Sequence, residues 1–240
     1  MGSTKFRLFG GPNGSGKSTL IEQIGKQYPL GYIVNADVIL NRLTTTKYIE
    51  CSSLFPRVLN NEEWIKFVST NANDVRIADL NIEKLYIKDN IFVSKGHLNS
   101  YHAAFIASFF REKLLHENNS FSFETVMSHP SKLDFLKQAK AAGFKTYLYF
   151  ICTQDPEINK GRVLNRSSIG GHDVKESKIE PRYYRSLDLL FDAFNLADRA
   201  FIMDSTSENR TLFIEKNYNE LILPNENIPA WIERYILDKL

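Results

Sequence analysis

The sequence predicts an α/β fold in which a mainly parallel sheet carries helices on both faces. Three observations lead there. A glycine-rich loop, "GGPNGSGKST" (residues 10–19), follows an apolar β-rich run directly. Short β-rich runs then alternate with helical periodicity along most of the chain, the pattern of crossover connections in a parallel sheet. The 240 residues, 43% of them apolar, suffice for one such domain with decoration.

In chain order, "KFRLF" (5–9) reads as the first strand. Residues 17–27 follow as a helix, with Leu20, Ile21 and Ile24 on one face. "GYIVNAD" (31–37) is a second strand that Asp37 closes, "FSFETV" (121–126) a third closed by Glu124 and Thr125, "KTYLYFICT" (145–153) a fourth and "RAFIMDST" (199–206) a fifth. Helical patterns cover residues 101–116, 132–142 with Gly143 as terminator, 156–166, and one long run from 176 to 196. Beyond 206, "TLFIEKNYNELIL" has the form of an antiparallel hairpin, and Pro229 opens a last helix, so residues 207–240 form an accessory segment. Residues 41–96 mix Trp64, Phe67, Tyr86 and Phe92 with polar runs in no clean period and read as an insertion into a single domain.

Composition excludes several function classes. Thirty basic against 28 acidic residues leave a net charge of +2, too balanced for a nucleic-acid or anionic-membrane surface acting by bulk attraction. Cys51 and Cys152 have no metal-site spacing, and Cys152 ends an apolar run, as a buried thiol in a reducing cytoplasm would. No stretch approaches the roughly 20 apolar residues that cross a bilayer.

Gly11, Gly16, Lys17 and Ser18 satisfy G-x-x-x-x-G-K-[ST] between a strand and a helix, the context a phosphate loop requires. Glycines let successive backbone N–H groups turn inward on a phosphate, and the helix N-terminus adds partial positive charge. Residues Gly11, Pro12, Asn13, Gly14, Ser15, Gly16, Lys17, Ser18 and Thr19 would therefore hold a nucleoside triphosphate. Lys17 would sit on its outer phosphates and Ser18 on Mg²⁺. The expected fold is a P-loop NTPase three-layer sandwich. As a surface point charge, the Lys17 ammonium should be removable by Lys17→Ala without damage to the fold.

The base-reading N-K-x-D of a GTPase is missing, since Asn159-Lys160 continues as Gly161-Arg162. "SSIGGHD" (167–173) looks like an ABC signature, but an Arg-bearing helical pattern follows instead of an apolar strand ending in Asp-Glu. Three clusters point to a kinase. Asp37, at a strand's carboxyl end, is where a base belongs. Glu124 and Thr125 supply a second strand end for Mg²⁺ or substrate. Arg162, Arg166, Arg182 and Arg185 flank Gly170-Gly171 as a helical lid over residues 162–185, with His172 after the glycines.

Together, "GGPNGSGKSTL", "VNAD", "SFSFETVMS", "KAAGFK" and "GRVLNRSSIGGHDVKESKIEPRYYRSL" resemble the zeta-toxin-like P-loop proteins, particularly the branch labelled predicted ABC-type ATPases. The likeness covers residues 5–206 in five ordered blocks, while the 41–96 segment departs from it. The resemblance implies an ATP- and Mg²⁺-dependent kinase acting on a hydroxyl of a nucleotide sugar or another small metabolite, with a small antitoxin protein as a partner. It gives Lys17 and Ser18 the phosphate and metal roles. Asp37 is the base, Glu124 and Thr125 lie on the substrate side, and Arg166 with Arg162 or Arg182 supplies the lid charge. The alternative class is an ATP-hydrolysing switch that exposes a partner surface and phosphorylates no acceptor.

Overall fold

A computed structural model describes residues 4–168 and 175–240. Its strands and helices run β1 (Lys5–Gly10), α1 (Lys17–Gly25), β2 (Tyr32–Asn35), α2 (Ala36–Thr45), β3 (Tyr48–Glu50), α3 (Asn61–Thr70), β4 (Leu85–Lys88), β5 (Ile91–Ser94), α4 (Ser100–His116) and β6 (Phe121–Thr125). They continue with α5 (Ser131–Ala141), β7 (Lys145–Cys152), α6 (Pro156–Ser168), α7 (Ile179–Asp188), α8 (Leu190–Leu196), β8 (Arg199–Asp204), β9 (Thr211–Asn217), β10 (Glu220–Ile222) and α9 (Ala230–Tyr235). Among the described residues the larger sheet has seven strands in the order β10-β9-β8-β7-β1-β6-β2, and β3, β5 and β4 form a second sheet. The fold is α/β with a mainly parallel sheet, as the alternation of strands and helices predicts.

The chain divides into two compact units, Met1–Leu30 with Glu124–Leu240, and Gly31–Phe123. In the first, β1 and β8 flank β7 in parallel, Leu8 opposite Leu148 and Phe150 opposite Ile202. β9 joins β8 antiparallel and β10 joins β9, which is the expected terminal hairpin. One face of this sheet packs Phe9, Ile151 and Met203 against Leu20 and Ile21 of α1. Phe6 meets Phe135 of α5 edge-on, and α8 packs on β7 and α5. The C-terminal helix is pinned by Trp231, whose buried indole N–H donates to Asp204 Oδ2 at 2.7 Å. Cys152 closes β7 fully buried, and burial pushes its thiol pKa up.

The predicted long helix over 176–196 is instead two helices, α7 and α8, parted at Leu189.

The second unit holds the 41–96 segment, which is well ordered around Trp64. That side chain is fully buried, with Phe92, Phe105 and Phe109 edge-on to its ring at 4.9, 5.9 and 5.4 Å, and it donates to Leu85 O at 3.1 Å. Aromatic contacts of this kind add about 0.5–1.5 kcal/mol each to what burial alone supplies. A capping box opens α3: Asn60 accepts from Glu63 N, and Glu63 accepts from Asn60 N. Glu63 also binds Arg57 and Lys113, each at 2.8 Å. The Arg57 bond comes first among the causes that hold its carboxyl down to about 2. Cys51 is buried here, its thiol pushed up to about 11 by loss of solvent.

Candidate active site

The loop between β1 and α1 has the conformation its glycines were expected to supply. Gly11, Gly14 and Gly16 take φ values of 142°, 77° and 90°. At Gly11 a Cβ would lie 2.0 Å from Ile151 O, and at Gly14 2.7 Å from Asn159 O, so no side chain fits at either position. Gly16 is the N-cap of α1 and offers no side-chain cap, which leaves the first-turn N–H groups without that competitor for an anion. Ser15 Oγ, fully buried in the loop, has no hydrogen-bond partner among the described residues. A glycine cradle on a helix N-terminus with a spare buried hydroxyl fits a phosphate chain.

Lys17 is only 8% exposed, with Nζ donating to Gly11 O at 2.9 Å and Pro12 O at 2.8 Å. This corrects the expectation of a surface point charge: the ammonium braces the loop from inside, because its stem lies against the turn it follows. Other loop carbonyls have donors from distant segments. Asn13 O accepts from Asn159 Nδ2 at 2.6 Å, and Ser15 O accepts from Ser205 Oγ at 2.8 Å. The motif gives no hint of Asn159 or Ser205, which lie 146 and 190 residues away along the chain.

Ser18 Oγ donates to Glu124 Oε1 at 3.1 Å, bringing together the two groups expected at the metal. A hydroxyl beside one carboxylate suits Mg²⁺, which takes one or two protein oxygens and completes its shell with phosphate and water. Among the described residues no cluster of three or more His, Cys, Asp or Glu could hold a metal unaided. Thr125 ends β6, its hydroxyl accepting from Met127 N at 3.2 Å.

Asp37 is placed differently from the expectation. β2 stops at Asn35, whose side chain caps α2 by accepting from Asp37 N at 2.8 Å and Val38 N at 3.2 Å. Asp37 thus sits exposed in the first turn of a helix in the second unit. An Asn at that position is a strong N-cap and ends the strand two residues early.

Of the arginines, Arg162 on α6 is half-buried and donates to Ser205 O at 2.7 Å and Thr206 O at 3.4 Å. Arg166 lies one turn further along α6 and is exposed, Arg182 is half-buried on α7, and Arg185 turns back to Pro181 O at 3.1 Å. Gly170, Gly171 and His172, on which the expected hinge falls, lie outside the described residues. A cavity of about 780 Å³ between α6 and α7 is lined by Lys160, Glu180, Pro181 and Tyr184, among others. Lys160 is engaged there by Glu157 and Glu180.

No family model and no curated protein matches the chain. Solved structures do. The crystal structure of AvrRxo1-ORF1:AvrRxo1-ORF2 with sulphate ions superposes with a TM-score of 0.57 at 13% identity, over 98% of this chain and 63% of that one. The same complex with ATP gives 0.57 at 14% identity, over 93% and 61%. A structure from the PezAT chromosomal toxin–antitoxin system of Streptococcus pneumoniae gives 0.52 at 14% identity, over 99% and 80%. The chain thus spans about three fifths of the AvrRxo1-ORF1 complex chains. At these identities the likeness establishes the fold, and it agrees with the zeta-toxin-like resemblance of the sequence blocks.

Proposed function

We propose that the protein is an ATP-dependent phosphotransferase that moves the γ-phosphoryl group of ATP to a hydroxyl of a nucleotide sugar or another small metabolite. The phosphate loop carries this reading: glycines at positive φ, a helix N-terminus without a side-chain cap and a buried lysine together suit a phosphate chain. A fold neighbour crystallised with ATP supports the choice of nucleotide, and a neighbour from a chromosomal toxin–antitoxin system supports a small antitoxin as a protein partner.

In this reading the acceptor oxygen forms a bond to the γ-phosphorus as the bond to the β–γ bridging oxygen breaks, and ADP leaves. Asp37 takes the proton released by the hydroxyl, and Thr125 and Glu124 line the acceptor side. Lys17 swings from the loop carbonyls onto the phosphate oxygens, and Arg162, Arg166 and Arg182 supply the remaining positive charge. Ser18 and Glu124 would hold Mg²⁺, which when bound neutralises charge on the phosphates. Most of the acceleration is positioning and charge stabilisation.

Incubation with Mg·ATP and a metabolite extract, followed by mass spectrometry, should reveal a metabolite heavier by one phosphoryl group that is missing with Asp37→Asn. ATP consumption with no phosphorylated product would favour the hydrolytic switch instead. No binding of ATP at all would end both readings.

A further inference from the structure

Lys17 braces two loop carbonyls, and in the proposed nucleotide complex its ammonium turns to the phosphates instead. Something else must keep the loop in shape at that moment. The peptide group is planar and trans, so a carbonyl held in one direction aims the N–H of the following residue in the opposite one. Asn13 O is fixed by Asn159 and Ser15 O by Ser205, which orients the N–H groups of Gly14 and Gly16 away from those two clamps. We infer that Asn159 and Ser205 are positioning residues of the phosphate site, acting through the loop backbone and touching no ligand themselves.

Each clamp is itself anchored. Asn159 is fully buried, and the obligate acceptor at Asn13 selects its amide nitrogen, leaving Oδ1 to accept from the buried Thr153 hydroxyl. Thr153 O in turn accepts from the buried Tyr183 hydroxyl at 2.6 Å. Four residues, Tyr183 on α7, Thr153 just after β7, Asn159 on α6 and Asn13 in the loop, are thus linked by hydrogen bonds. Ser205 Oγ lies between Ser15 O and Cys152 O at 2.8 and 3.2 Å, and its own carbonyl receives Arg162. Gly14 completes the fit, since any side chain there would strike Asn159 O. These donors come from the chain segments after β7 and β8, so they stay in place whichever way Lys17 points.

This inference rests on the proposed nucleotide site and deepens it. The test is titration calorimetry of the full chain with two probes, Mg·ATP and inorganic tripolyphosphate, on wild type, Asn159→Asp, Ser205→Ala and Thr153→Val. Asn159→Asp keeps the shape but sets a carboxylate against Asn13 O, and we expect both probes to bind at least about tenfold more weakly, one lost aligned hydrogen bond or more. Ser205→Ala should weaken both several-fold with its melting temperature close to wild type, and Thr153→Val should fall between wild type and Asn159→Asp. The kinetic counterpart is a raised KM for ATP with a smaller change in kcat. If Asn159→Asp does not fold, Ser205→Ala decides alone. Folded variants that bind both probes as wild type does overturn the clamp and leave the nucleotide site standing, whereas a wild type that binds neither probe overturns the nucleotide site itself.

Discussion

Replacing Lys17 by Met keeps the buried aliphatic stem and deletes the ammonium. In the free protein this removes two charge-assisted hydrogen bonds of 2.9 and 2.8 Å to Gly11 O and Pro12 O. Such bonds contribute about 1.5–3 kcal/mol each, and the cost of burying the charge offsets part of that. Pro12 O keeps the Ser15 N–H at 3.3 Å, so the loss falls mainly at Gly11. A net destabilisation of about 2 kcal/mol follows, which lowers the melting temperature by about 4–8 °C for a chain of this size. Nucleotide affinity should fall further, by about a hundredfold, because a charged contact to phosphate is lost as well. Differential scanning fluorimetry without nucleotide and calorimetry with Mg·ATP measure the two effects separately. A variant that melts with wild type and binds Mg·ATP equally well would refute both the brace and the phosphate role.

Glycine substitutions should act with opposite signs along the same unit. Gly11→Ala should lower the unfolding free energy measured by urea denaturation by about 3 kcal/mol or more, since its Cβ would lie 2.0 Å from Ile151 O. Gly161→Ala, on α6 with nothing among the described residues beyond its own helix within 4 Å of the new methyl, should raise that free energy by about 0.5–1 kcal/mol. Glu63 makes the second unit acid-sensitive. Its folded pKa of about 2 lies below the ordinary 4.5, so its contribution is complete above pH 4.5 and is lost as pH falls towards 2. After allowance for the solvent exposure of Arg57 this amounts to about 1–2 kcal/mol, and Glu63→Gln should flatten the pH dependence of unfolding over that window. Trp231→Phe removes the donor from a buried Asp204 oxygen and should cost about 1–3 kcal/mol, read by chemical denaturation.

The sequence made the phosphate loop legible because its chemistry is local: the glycines, lysine and hydroxyl that the phosphates need fall within nine residues. The pairing of Ser18 with Glu124 was legible too, since strand ends in a parallel sheet converge on one edge. Other features depend on tertiary contacts or on competition between neighbours. Asn159 and Ser205 are ordinary polar residues until the fold sets them against the loop. The sheet of β3, β4 and β5 has strands of three or four residues, too short for a period of two to register. Leu189 keeps near-helical dihedrals, so the apolar stripe of α7 and α8 runs through the break without a mark. At the end of β2, Asn35 and Asp37 both read as strand residues, and only the capping geometry shows which side of the boundary each occupies.

The placement of the two cysteines turns the molecule into its own reporter. Each compact unit holds one thiol, Cys51 in one and Cys152 in the other. Both are buried, and burial keeps both in the protonated form that alkylating reagents ignore. Modification of either therefore waits for its own unit to open. Pulse alkylation followed by peptide mass mapping would time the opening of each unit in a single unlabelled sample, and a nucleotide that closes the phosphate loop should slow the clock at Cys152, which borders Ser205.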